Sequence, residues 1–130
     1  MTTLLICLSI ATLMPILAKA PLAYAMNKSE GGYDNKHPRA QQAGLTGFGA
    51  RAKAAHENCF EALIMFTPGV LACAITNTIG PVITSLAIAF VIARTVYLLA
   101  YWYNIHVLRS TAWAVGFVCS LALLFFAIPF

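Results

Sequence analysis

Charge is what this sequence has least of. Asp, Glu, Lys and Arg together make up 9% of its 130 residues, against about 25% in ordinary soluble domains. What charge there is lies unevenly: residues 1–18, 77–81 and 110–130 carry none. Cysteine chemistry is missing too. Cys7, Cys59, Cys73 and Cys119 are scattered singly, without C-x-x-C spacing, so neither a disulfide framework nor a zinc site is expected, and all four read as small buried hydrophobes. His56-Glu57 opens like H-E-x-x-H, but Phe60 holds the position of the second His. The metalloprotease pattern fails, and no metal site is expected. Aromatic and basic residues do not interleave as a stacking platform for nucleic acid would require, so no nucleic-acid partner is expected.

What is present is apolar chain. Hydrophobic residues reach 61% and concentrate at 2–26, 55–76, 80–104 and 110–130. Each segment is near the roughly 20 residues a helix needs to cross about 30 Å of hydrocarbon. Too little polar chain remains to cover a soluble core built from four such segments. The fold class is therefore an all-α membrane protein, a four-transmembrane-helix bundle forming one domain over 1–130. Its helices are expected at about 2–26, 48–76, 80–104 and 108–130, with a polar loop at 27–47. Ala23-Tyr24-Ala25 resembles a signal-peptide cleavage site. No basic residue precedes the first apolar run, however, and Pro15 and Lys19 interrupt it, so it is read as a retained span kinked at Pro15 and Pro21.

Charge asymmetry sets an expected orientation. Lys28, Lys36, Arg39, Arg51 and Lys53 flank the first loop, and His106 and Arg109 lie at the third. The positive-inside rule puts both loops in the cytoplasm and both termini on the other side of a multi-pass integral membrane protein. The Asn27-Lys28-Ser29 sequon then lies on the wrong face for glycosylation. The net charge of +4 suits contact with anionic membrane lipids.

Two stretches carry polar chemistry into the apolar spans. Arg51 to Glu61 holds two cations, two carboxylates, His56 and Asn58. Asn58 and Glu61 are three apart and share a helix face, as do Arg94, Tyr97 and Tyr101 on the third span. Arg94 lies about 15 Å inside its helix end, where an arginine costs about 2.5–3.5 kcal/mol even on lenient insertion scales. It should have a partner. Antiparallel spans bring Glu61 level with Arg94 and Asn58 level with Tyr97, which predicts an intramembrane ion pair between Glu61 and Arg94.

These residues resemble the MAPEG family, the membrane-associated proteins in eicosanoid and glutathione metabolism. The family's second-span pattern matches Arg51, Ala55-His56, Asn58, Glu61 and Phe66, and its third-span pattern matches Arg94, Tyr97, Tyr101 and Arg109-Ser110. The resemblance covers all four spans. It implies a homotrimer with glutathione as co-substrate between subunits near the cytoplasmic face, held by Arg51, Asn58, Glu61, Tyr97 and Tyr101. Arg109 and Ser110 are the implied catalytic pair that activates the thiol. The implied activity is that of a glutathione transferase or peroxidase acting on lipophilic electrophiles or lipid hydroperoxides that arrive from the bilayer.

One departure bears on that activity. Family enzymes place an arginine four residues before the Asn, or directly before it, whereas Ala54 and Glu57 stand here. A lost charge-assisted hydrogen bond is worth about 1.5–3 kcal/mol, or one to two orders of magnitude in affinity. Two alternatives follow: a non-catalytic trimer binding lipid or lipophilic small molecules, and a small structural subunit of a membrane complex.

Overall fold

The computed structural model describes residues 1–129, and the described residues form helices without a strand. Four long helices are apolar enough to cross a membrane: α1 (Thr2–Lys28), α3 (Gly47–Ile75), α4 (Pro81–Trp102) and α5 (His106–Phe126). The sequence places the last span at 108–130; position 130 lies outside the described residues. Within the stretch read as a continuous loop, Pro38–Ala43 forms a short helix, α2. Proline suits its first turn, where the missing N–H would have no intrahelical acceptor. Gln41 ties this connection together: its Nε2 donates to the carbonyls of Gly32 at 2.7 Å and Met26 at 3.1 Å, and its Oε1 accepts from the Asp34 amide at 3.0 Å. The Asp34 carboxylate accepts from the amides of His37 and Lys36. The His37 contact is the larger cause holding its carboxyl below the usual range.

Two helix ends stop by the same device. Asn77 after α3 and Asn104 after α4 adopt positive φ, 53° and 61°. Asn is among the few non-glycine residues that tolerate that conformation. Each reverses the chain so that the next amide reaches back into the helix, Thr78 N–H to the Cys73 carbonyl at 2.9 Å and Ile105 N–H to the Ala100 carbonyl at 2.8 Å. The second of these turns carries the chain directly into α5 and so sets the position of Arg109.

The four spans form a bundle in which α1 packs on α3, α3 on α5 and α5 on α4, while α4 also touches α1 and α3. Phe66 and Phe90 stack face to face across α3 and α4, with centroids 3.8 Å apart. All four cysteines are buried, as their isolated positions suggest. α1 runs unbroken through Pro15 and Pro21. His56 on α3 donates from Nδ1 to the Pro15 carbonyl at 2.9 Å, which joins α1 to α3 by a buried hydrogen bond and gives His56 a packing role.

Small residues set the closest approaches. A Cβ on Gly69 would stand 3.0 Å from both the Ser120 carbonyl oxygen and Leu123 Cβ, so α3 and α5 meet backbone to backbone here. Adding even one methyl must push them apart. Gly69→Ala is expected to destabilise the bundle by about 1–3 kcal/mol through overpacking. Gly44→Ala, where the nearest atom is 3.6 Å away, should change stability by less than about 0.5 kcal/mol. Unfolding of both variants in detergent micelles would measure the difference.

Candidate functional site

The polar site grows out of Arg94. This side chain is 2% exposed and needs acceptors or ring faces around a charge removed from water. Its Nη2 donates to Asn58 Oδ1 at 2.8 Å, and its guanidinium lies over the Tyr97 ring, 4.0 Å from the centroid. Gly116 on α5 makes room for the aliphatic stem: a Cβ there would lie 3.3 Å from Arg94 Cδ. Asn58 in turn donates from Nδ2 to the Glu61 carboxylate.

The expected ion pair between Glu61 and Arg94 is therefore corrected. Asn58 stands between them and uses its carbonyl oxygen toward the cation and its amide nitrogen toward the carboxylate. Residues three apart on a helix differ by about 60° around the axis. Asn58 is half-buried toward α4, and that rotation leaves Glu61 exposed on the outer flank of α3. Among the described residues the ion pair that does form is Lys53 with Glu57, at 3.5 Å on the α3 surface.

From Arg94 the polar features climb toward the end of the bundle that carries the 29–46 connection. Tyr97 meets Tyr101 edge to face, with centroids 5.5 Å apart, and Arg109 of α5 lies over the Tyr101 ring at 4.7 Å. Cation, ring, ring and cation thus follow one another, each cation facing the electron-rich face of a tyrosine. Asn58, Tyr97, Tyr101, Arg109 and Ser110 all line one cleft of about 240 Å³, with Trp113 as its remaining wall. Arg51 and Glu61 are not part of that lining. Arg51 is half-buried near the start of α3, and its Nε has no hydrogen-bond partner among the described residues.

Sequence reasoning missed Trp113. It lies four residues after Arg109 and so on the same face of α5, which was the available signal. Trp113 stacks on Phe117 at 5.3 Å and adds an apolar wall to a cleft otherwise made of phenols, an amide, a hydroxyl and a guanidinium. The cleft can receive an anionic or hydrogen-bonding group at Arg109 and the tyrosines, with an apolar group against Trp113. Chemically, Arg109 can stabilise an anion, and the Ser110 hydroxyl can donate to one or accept from its conjugate acid.

The relay gives distinct expectations for its members. Asn58→Leu strips the guanidinium of its acceptor and should cost about 1.5–3 kcal/mol. Glu61→Gln, which touches no cation, should cost less than about 0.5 kcal/mol. Asn58→Leu combined with Arg94→Leu should recover part of the loss. A double-mutant cycle read by unfolding in detergent checks this, and a large loss for Glu61→Gln alone would restore the direct ion pair.

None of the curated proteins or solved structures compared with the chain matches it significantly. A family model does, over residues 3–129 and hence nearly the whole length. With four membrane-spanning helices, a buried arginine held by an asparagine one span away, and a polar cleft at one end of the bundle, the chain belongs to the MAPEG family.

Proposed function

We propose that this protein is an integral membrane glutathione-dependent transferase or peroxidase acting on lipophilic electrophiles or lipid hydroperoxides. The observation that carries this reading is the convergence of Asn58, Tyr97, Tyr101, Arg109 and Ser110 on one cleft, in a family associated with glutathione metabolism. A thiol of pKa about 8.5 is mostly protonated at neutral pH, and its thiolate is the nucleophile. Arg109 stabilises that thiolate and Ser110 donates a hydrogen bond to it, while the proton leaves to water. The sulfur then forms a bond to an electrophilic carbon, and the leaving group departs with its electron pair. With a lipid hydroperoxide, the thiolate attacks the outer oxygen and the O–O bond breaks, the departing alkoxide takes a proton from water to become the lipid alcohol, and a second glutathione converts the sulfenic acid to the disulfide and water. Tyr97, Tyr101 and Asn58 orient the tripeptide, and Glu61, outside the cleft on the flank of α3, holds its amino group where the ligand extends between subunits. Trp113 forms the apolar wall that faces the lipophilic co-substrate.

The exposed flank of α3 supports assembly as a homotrimer. Glu61 lies roughly 15 Å below Arg51 along the helix and is exposed beside Phe60, which is 50% exposed, and Ile64, which is 72% exposed. A carboxylate left against lipid at that depth is costly, so a neighbouring subunit covering it is favoured. The positive residues around the 29–46 connection support a cytoplasmic position for that end and for the cleft with it.

A second reading has its own observation. Among the described residues Arg109 is the one cation lining the cleft; Arg94 is committed to Asn58 and Lys53 to Glu57. A ligand with two carboxylates meets one cation within the subunit, which favours a non-catalytic trimer binding a singly charged lipid. Calorimetry in detergent separates the readings: glutathione is expected to bind at millimolar concentration or below. Turnover of chlorodinitrobenzene or cumene hydroperoxide is expected to fall at least tenfold in Arg109→Ala, with the fold intact. Absence of glutathione binding at millimolar concentration overturns the enzyme reading and leaves the lipid-binding one.

A further inference from the structure

A second built region lies on the other side of α4. Leu99 points about 200° around the helix from both Tyr97 and Tyr101, and with Pro21, Phe48, Trp102 and Tyr103 it lines a groove of about 390 Å³ between α1, α3 and α4. The lining is aliphatic and aromatic, with the tyrosine at its upper rim. Phe48 is also a wall of an adjoining cleft of about 310 Å³, whose other members include Tyr24, Lys28, Ser29 and Thr46. One aromatic side chain thus separates an apolar groove from a polar cleft.

The two are stacked along the bundle axis. Lys28 ends α1, and Pro21 lies seven residues earlier, about 10 Å deeper along the helix. The polar cleft is therefore at the helix ends and the groove runs below it into the apolar span. Charge in the upper cleft has one sign. Lys28 is its charged lining residue, with the ammonium 5.7 Å from the Tyr24 ring centroid. Among the described residues, no acidic one lines the cleft or occupies the first turn of α3 beside it. Thr46, at the N-cap of α3, makes no capping hydrogen bond with its side chain, so its hydroxyl is available to a ligand. A cation, a hydroxyl and the positive end of a helix above an apolar groove match a molecule with an anionic head and a hydrocarbon tail in the orientation of a bilayer lipid.

We infer that Lys28, Thr46 and Tyr24 bind the phosphate of an anionic phospholipid whose acyl chain occupies the groove formed by Pro21, Phe48, Leu99 and Trp102. This site is separate from the Arg109 cleft and does not depend on the reading given to it. A zwitterionic headgroup carries its own cation near the phosphate and meets Lys28 less favourably, so the site discriminates by net headgroup charge.

The two tryptophans, Trp102 and Trp113, make the test direct. With Trp113→Phe as background, Trp102 is the sole tryptophan reporter, and the full-length protein is placed in bilayers containing lipids with brominated acyl chains. Brominated phosphatidylglycerol is expected to quench Trp102 with an apparent affinity at least threefold above that of brominated phosphatidylcholine. Lys28→Ala should reduce that ratio to about one, while Lys36→Ala, outside the cleft, should leave it unchanged. Inorganic phosphate at 10 mM should not relieve the quenching. Equal quenching by both lipids, a ratio unaffected by Lys28→Ala, or release by phosphate alone would each overturn the assignment.

Discussion

A guanidinium in the interior of a membrane protein cannot be left alone, and most of this site follows from that constraint. Desolvating Arg94 is tolerable because three groups meet it from three helices: the Asn58 carbonyl oxygen, the Tyr97 ring, and the space at Gly116 that admits its stem. None suffices by itself. The amide supplies a directed hydrogen bond, the ring supplies a polarisable negative face, and the glycine supplies space. Because these contacts come from α3, α4 and α5, satisfying the charge also fixes how the three helices sit against one another.

Asn58 between Arg94 and Glu61 has consequences beyond stability. An amide presents an acceptor and a donor at once, so it polarises toward both neighbours without itself carrying charge. A direct ion pair would consume the Glu61 carboxylate inside the bundle. With the amide interposed, the carboxylate stays exposed at the outer flank of α3. The same economy operates above it, where Tyr97 and Tyr101 separate Arg94 from Arg109 and keep the second cation at the cleft.

Different parts of this structure were legible to different degrees. The spans were plain because membrane crossing imposes a length and a composition, and both appear in a one-dimensional string. Asn58, Tyr97 and Tyr101 were nameable because helical periodicity places residues three, four and seven apart on one face, whereas Arg109 and Ser110 were named only through the family resemblance. Arg51 was carried along with them, yet it lies outside the cleft: sequence neighbours separated by seven residues on one helix differ by about 10 Å in height. α2 was missed because six residues opening on proline look like a turn in a polar loop, and its order rests on Gln41 reaching carbonyls nine and fifteen residues away.

What the sequence determined by itself is therefore the membrane-crossing bundle, its polar end and the face on which its chemistry gathers, since periodicity and burial in lipid are properties of single helices. Tertiary structure alone decided which partner Arg94 takes. Glu61 and Asn58 were both within reach by height, and the choice depended on the rotation of α3 about its own axis. That rotation is set by close contacts such as Gly69 against Ser120 and Leu123 and His56 against Pro15, which join residues far apart in the chain. A turn of about 60° separates a buried ion pair from an amide relay with a carboxylate on the outside, and no spacing rule within one helix reports it.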